Sequence, residues 1–321
     1  VQWALALHGG AGTLDKTDDP IMIAKYEAAL RAALEKGTSV LASGGSSLDA
    51  CEAVVRELED NELFNAGKGA ALNIEGVAEL DAAFMDGSTT HYGTVTGVTT
   101  VRNPVSLARI VMQQRKFGML AGAGAEAFAN EQTSNPQIKR VPNAWFVTPR
   151  RRQMLDDVLV ERGILKRATQ RSTATLDHAA RMGTVGCVAL DSKGNLAAAT
   201  STGGLTGKLV GRVGDAPIIG AGTLATSDVA ISCTGSGEQF IRFSVARAVS
   251  ERMQLLHESV HDAAKHVIFS TLAKDDGGLI ALDARGEIAL PYNTVGMYRG
   301  FAKKFADGTS QSGVGIFEEV K

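Results

Sequence analysis

Two hairpins in the second half of the chain are written in almost unbroken apolar residues. The first joins residues 184–190 to 196–200 through Asp191-Ser192-Lys193-Gly194-Asn195, and the second joins 279–282 to 287–290 through Asp283-Ala284-Arg285-Gly286. Hairpin strands are antiparallel, and an antiparallel sheet with one wet face alternates apolar and polar residues. Continuously apolar strands in this arrangement have to be covered on both faces. Two such sheets facing each other, with helices outside them, give a four-layer αββα sandwich of two antiparallel sheets, an α/β (α+β) fold.

The remaining pattern supplies the helices. Apolar spacing predicts helices over 20–42 and 46–60, the second capped by Ser46 or Ser47 with Asp49 in its first turn. Further helices are expected at 104–115, 118–130, 237–253 and 257–272, and further strands at 1–7, 77–86, 92–101 and 229–233. The opening run Val1-Gln2-Trp3-Ala4-Leu5-Ala6-Leu7 is too short for a signal h-region and reads as a buried strand. Residues 131–182 differ: Pro136, Pro142, Pro149, the run Arg150-Arg151-Arg152 and a polar segment suggest an exposed linker, with one helix near 152–163. Neither 1–182 nor 184–321 has elements enough to close both faces alone, so 1–321 is expected to fold as one domain.

Composition excludes several classes of partner. The formal net charge is -2, which gives no global field for nucleic acid or an anionic membrane. No apolar run reaches the roughly 18 residues of a membrane span. Cys51, Cys187 and Cys233 are odd in number and far apart, against a disulfide framework or a thiolate zinc site, and a cytoplasmic protein is expected. Glycine is frequent, 36 of 321, and clustered at 9–12, 67–69, 203–204, 211–222 and 235–237, which suits loops whose backbone approaches a ligand.

The sharpest chemical feature is Gly183-Thr184-Val185-Gly186, where a buried strand opens on Thr directly after the polar segment. A threonine hydroxyl is a poor nucleophile and needs a base. Its own α-amino group, with an ordinary pKa near 8, can serve, but only if the bond before Thr184 is cut. On residues alone, the plainer reading of Thr184 as a β-branched strand opener prevails.

That stretch has company. His8-Gly9-Gly10-Ala11-Gly12, Leu63-Phe64-Asn65-Ala66-Gly67-Lys68-Gly69, Glu79-Leu80-Asp81-Ala82, Met85-Asp86-Gly87, Arg102-Asn103-Pro104, Gly183-Thr184-Val185-Gly186, Ala199-Thr200-Ser201-Thr202-Gly203-Gly204, Gly211-Arg212-Val213-Gly214-Asp215, Ser232-Cys233-Thr234-Gly235-Ser236-Gly237-Glu238 and Asn293-Thr294-Val295-Gly296-Met297 follow in order. Together they resemble the plant-type L-asparaginase / isoaspartyl peptidase family of Ntn hydrolases, with the bacterial isoaspartyl aminopeptidases nearest.

The resemblance implies self-cleavage between Gly183 and Thr184, giving an α-chain (1–183) and a β-chain (184–321), and hydrolysis of β-aspartyl amides in L-asparagine and isoaspartyl dipeptides. Thr184 would be nucleophile and base, and Thr202 would tune its amine. Arg212 would hold the substrate α-carboxylate, a task suited to a bidentate fork. Asp215 would take the α-ammonium. Thr234 and Gly235 would form the oxyanion hole, Gly237 would touch substrate through its backbone, and Asn65 would support Thr184. No cofactor is implied for the chemistry, but a structural sodium ion is, on the carbonyls of Leu58, Glu59, Asn61, Phe64, Ala66 and Lys68. The family also implies a dimer of αβ heterodimers.

Other patterns are weaker. His8-Gly9-Gly10 lacks the Gly-x-Ser-x-Gly elbow of an α/β-hydrolase, and Gly235-Ser236-Gly237 has the wrong spacing for a dinucleotide fingerprint. His257-Glu258-Ser259-Val260-His261 matches the zinc pattern His-Glu-x-x-His, without an evident third ligand. Two alternatives remain: a glycosylasparaginase-like hydrolase, or an unprocessed, catalytically silent aspartate-binding relative.

Overall fold

The computed structural model describes residues 1–12, 19–165, 183–317 and 320. Segment 166–182, the last third of the expected linker, lies outside the described residues. Along the chain run β1 (Trp3–Ala11), α1 (Pro20–Ala42), α2 (Ser47–Glu59), β2 (Leu80–Asp86), β3 (Tyr92–Val98), α3 (Pro104–Gln114), β4 (Met119–Ala121), α4 (Gly122–Glu131) and α5 (Pro149–Glu161). After the undescribed segment come β5 (Val185–Leu190), β6 (Leu196–Thr202), β7 (Thr223–Ala225), β8 (Val229–Gly235), α6 (Gly237–Arg242), α7 (Val245–Leu256), α8 (Val260–His266), β9 (Gly277–Asp283), β10 (Ile288–Ala289), β11 (Met297–Lys304) and β12 (Ser310–Gly315).

Two sheets result. The larger has the order β12-β11-β1-β5-β6-β2-β3-β4 and the smaller β10-β9-β8-β7. Helices α1, α2 and α3 cover one face of the large sheet, its other face meets β8 and β9, and α7 and α8 cover the outside of the small sheet. The expected four-layer sandwich is therefore present, with one departure from two antiparallel sheets: β4 pairs parallel with β3 at the edge.

The strands are apolar on both faces because both faces are covered. In β1, Trp3, Leu5 and Leu7 pack with the helices, whereas Ala4 and Ala6 pack into the core shared with the second sheet. In β5, Val185 and Cys187 take the first side, Val188 and Leu190 the second. Small residues between the sheets bring the two layers close, and each buried aliphatic side chain contributes about 1.5–3 kcal/mol relative to exposure. All three cysteines are buried and free.

Four expectations give way to tertiary contacts. Residues 118–130 open as β4 before turning helical at Gly122. The expected helix 237–253 breaks at Ser244 (φ 48), and 257–272 becomes α8 followed by a π-helical turn over Val267–Thr271. The described part of the expected exposed linker, 131–165, is packed rather than loose. Phe146 is fully buried, and the Arg151 side chain reaches inward to donate to the Gly69 carbonyl. A few inward anchors without periodicity leave no helical or strand signature in the sequence.

Candidate active site

The site lies where β5 and β6 end beside the loops that carry Asn65 and Asp215. The ladder of β5 starts at Val185, which places Thr184 at its mouth with 5% of its surface exposed. Its Oγ1 lies 2.8 Å from the Gly183 carbonyl oxygen and 3.2 Å from Thr202 Oγ1. That carbonyl also accepts from Asn65 Nδ2 at 2.9 Å and Thr202 Oγ1 at 3.0 Å. The peptide bond before Thr184 thus has its oxygen gripped by two further donors beside a hydroxyl, the arrangement that stabilises a developing oxyanion.

Asn65 is itself held: Nδ2 also donates to Gly204 O at 2.7 Å, and Oδ1 accepts from Ala71 N at 2.6 Å. Gly183 has φ 145, a conformation that disfavours any side chain. A Cβ on Gly10 would lie 3.1 Å from Gly183 Cα and 3.3 Å from Thr184 N, so β1 approaches the bond backbone to backbone.

A tight pocket of about 10 Å³ opens in front of this bond, lined among others by Thr184, Thr202, Arg212, Asp215 and Gly235. Asp215 is buried, and its Oδ2 has no hydrogen-bond partner. Burial pushes its carboxyl up to about 7, against the pull of the Arg212 guanidinium. An unsatisfied buried carboxyl aimed at a pocket wants a cation.

Arg212 is not idle in the empty pocket. Its Nε and Nη2 each donate at 2.9 Å to the two carboxylate oxygens of Glu238. The resemblance gave Arg212 the substrate carboxylate and gave Glu238 no role, although Glu238 closes the Ser232–Glu238 motif. Nη1 points the other way: a Cβ on Gly214 would lie 2.9 Å from it, and one on Gly204 3.2 Å. Gly237 has the same tightness, since a Cβ there would lie 2.9 Å from Arg212 Nη2 and 3.0 Å from Asp215 Oδ1.

Thr234, next to last in β8, is fully buried, and its Oγ1 accepts from Ala11 N at 3.2 Å, which leaves its own proton to donate. Gly235 follows with φ 155, where a Cβ would strike Asp276 O at 2.1 Å. Asp81 on β2 stands opposite Thr202, with Oδ2 unpartnered and its carboxyl raised by burial. Lys208 is buried beside it, donates to Glu79 O at 2.8 Å and is shifted down by burial. Sequence reading missed this pair, whose only signal is charge inside glycine-rich, apolar surroundings.

The loop after α2 was assigned carbonyl donors. It doubles back, with Lys68 N donating to Glu59 O at 2.7 Å. Gly67 has φ 50, and a Cβ there would lie 2.3 Å from that same oxygen; on Gly69 it would lie 2.5 Å from Glu62 O. Two more of the assigned carbonyls accept backbone N–H groups within the loop, Leu58 O from Asn61 N at 3.3 Å and Asn61 O from Phe64 N at 3.2 Å. Lys68 Nζ faces outward, 3.6 Å from Glu62 Oε2.

The zinc pattern dissolves in three dimensions. His257 ends α7 in a left-handed conformation (φ 55), while His261 sits on the separate helix α8, so the two do not share a helical face. Glu258 pairs with Arg252. Among the described residues, no helix is long and apolar enough to cross a membrane.

Comparison with known proteins gives the chain a family. A family profile described as Asparaginase matches residues 1–311. The isoaspartyl peptidase of Salmonella typhimurium is 44% identical over 314 residues, 97% of each chain. That of Escherichia coli is 44% identical over 314 residues, covering 97% of this chain and 95% of its own. The plant-type L-asparaginase of Pyrococcus furiosus is 37% identical over 307 residues, covering 94% and 96%. With the family profile spanning nearly its whole length, the chain belongs to the asparaginase family.

Proposed function

We propose that the chain is a self-processing amidohydrolase that cleaves β-aspartyl amide bonds in isoaspartyl dipeptides and L-asparagine. The observation that carries the reading is the Gly183 carbonyl, held by Asn65 and Thr202 with the Thr184 hydroxyl 2.8 Å from its oxygen. The names of the relatives point the same way: isoaspartyl peptidase and plant-type L-asparaginase.

In processing, Thr184 Oγ attacks the Gly183 carbonyl carbon. The Gly183–Thr184 C–N bond breaks, the nitrogen takes a proton, and an ester remains. Water hydrolyses the ester, leaving a carboxylate on Gly183 and a free amine on Thr184. That amine is the base the hydroxyl lacked. In turnover it accepts the Thr184 hydroxyl proton as Oγ attacks the substrate's side-chain carbonyl, and Thr234 Oγ1–H and Gly235 N–H receive the oxyanion. The proton passes to the leaving amine, the C–N bond breaks, and water releases aspartate from the acyl-enzyme.

Substrate is held as a zwitterion. Arg212 takes the α-carboxylate through its Nη1 side, Glu238 steadies the guanidinium from behind, and ionised Asp215 pairs with the α-ammonium. The same reading gives the loop carbonyls of Leu58, Glu59, Asn61, Phe64, Ala66 and Lys68 a sodium ion, which would stiffen the segment leading to Asn65. It also extends to a dimer of αβ units. Leu209 and Val210 stand 69% and 54% exposed next to Arg212, a surface that assembly would cover.

The test is a denaturing gel with activity. The wild type runs as two bands and turns over a β-aspartyl dipeptide, and Thr184→Ala stays one band without turnover. A Thr184→Ala protein with wild-type turnover sinks the proposal.

A further inference from the structure

A run of buried polar groups between the two sheets has no part in the chemistry above. The Thr184 carbonyl oxygen lies 2.9 Å from His8 Nδ1. A carbonyl can only accept, so Nδ1 carries the proton and Nε2 a lone pair. Nε2 then accepts from the Ser232 hydroxyl at 2.8 Å. Ser232 Oγ takes the Thr200 proton at 2.7 Å, and Thr223 Oγ1 lies 2.6 Å from Thr200 Oγ1 and 2.9 Å from Ala216 O, sharing its hydrogen between them. His8, Thr200, Thr223 and Ser232 are all 0% exposed. The run starts at the residue with the hydroxyl and ends one residue after Asp215.

The backbone is shaped to let this run pass. β1 and β5 place His8 opposite Gly186, and a Cβ on Gly186 would lie 2.0 Å from Ser232 Oγ and 2.4 Å from His8 Nε2. Burial also drives the imidazole down to about 3, so the ring stays neutral.

We propose that His8 is a positioning residue for the Thr184 nucleophile: its Nδ1–H holds the Thr184 carbonyl, and the Ser232, Thr200 and Thr223 hydroxyls tie that hold to the backbone beside Asp215. The inference rests on Thr184 being the nucleophile. Once the bond to Gly183 is cut, Thr184 has lost its tether on the amino side. Its carbonyl is then the handle that sets its orientation, and the buried run keeps the hydroxyl at a fixed distance from the group that holds the substrate's ammonium. Small misplacement of a nucleophile costs rate rather than binding.

Two substitutions separate the contacts. In His8→Asn the side-chain amide nitrogen stands where Nδ1 stood and can still donate to Thr184 O. In His8→Gln the polar end reaches toward Ser232 instead and withdraws that donor. Turnover of a β-aspartyl dipeptide is measured per processed β-chain, so that slow cleavage does not count as slow catalysis. His8→Gln is expected to lose about 30-fold in kcat with KM within about 3-fold, and His8→Asn to recover most of the loss. Equal kcat in the two variants, both high or both low, overturns the proposal.

Should neither variant fold, nitrogen-15 NMR of the wild-type histidines decides. An Nδ1-protonated, Nε2-bare His8 at neutral pH supports the proposal, and the opposite tautomer overturns it. Failure of the underlying reading looks different: a Thr184→Ala protein that still turns over substrate, whatever stands at position 8.

Discussion

Replacing Asp215 by Asn separates what the pocket costs the fold from what it gives the substrate. The Asp215 carboxyl is 4% exposed, has an unpartnered Oδ2, and is raised from 3.8 to about 7 chiefly by burial. A rise of about three pH units corresponds to about 4 kcal/mol against the charged form in the empty pocket. Between pH 4 and 7 the folded protein keeps this proton and the unfolded chain has lost it. Stability from this group is therefore full below about pH 4, falls by about 1.4 kcal/mol per pH unit as pH rises, and is gone above 7. Asn cannot ionise, so the variant lacks that slope. At pH 4 the two proteins should agree within about 1 kcal/mol, the difference of one polar contact. At pH 8 Asp215→Asn should be the more stable by about 2–4 kcal/mol, or roughly 4–8 °C in Tm. Its KM for a β-aspartyl dipeptide should rise about 100-fold, because the ammonium loses its counter-charge. Calorimetry across a pH series with ligand-free protein gives the first result, and initial rates the second. A variant no more stable than wild type at pH 8, or one whose advantage shrinks as pH rises, refutes the reasoning.

Asn65→Ala removes a donor from the Gly183 carbonyl and should slow chain splitting by about 100-fold or more, read from a gel time course after cell-free synthesis; wild-type splitting would dismiss Asn65 as an oxyanion donor. Gly186→Ala should destabilise by about 3 kcal/mol in urea denaturation, because its Cβ would fall 2.0 Å from Ser232 Oγ; a neutral change would mean the sheets part easily there. Glu59 accepts from Ser201 Oγ at 2.7 Å and Val105 N at 3.0 Å, and burial raises its carboxyl from 4.5 to about 8. Glu59→Gln should match wild type below about pH 4.5 and gain on it as pH rises to about 8, with KM unchanged, measured by the same calorimetric series; a gap that does not grow with pH contradicts it.

The layers were readable because burial on both faces leaves a mark in the strands. Val185–Leu190 and Leu196–Thr202 carry no alternation, and their hairpin loop is written in Asp191 and Gly194, with Asp191 Oδ1 accepting from Lys193 N and Asn195 N. Helix stops were less legible. The break at Ser244 is set by left-handed backbone that residue type does not announce, and Phe146 and Arg151 are buried by contacts distant in sequence. For the site, local pattern offered only Thr184. Asn65 meets Gly183 across 118 positions and His8 meets Ser232 across 224, and spacing cannot produce such pairs. Family resemblance supplied the other site residues, and it was silent on Glu238, which the fold sets against Arg212.

Mass spectrometry of the active protein reaches the central claim most directly. The account predicts two polypeptides, the second beginning with a free amine on Thr184. Turnover by a protein in which Thr184 is still joined to Gly183 through an intact amide would contradict it.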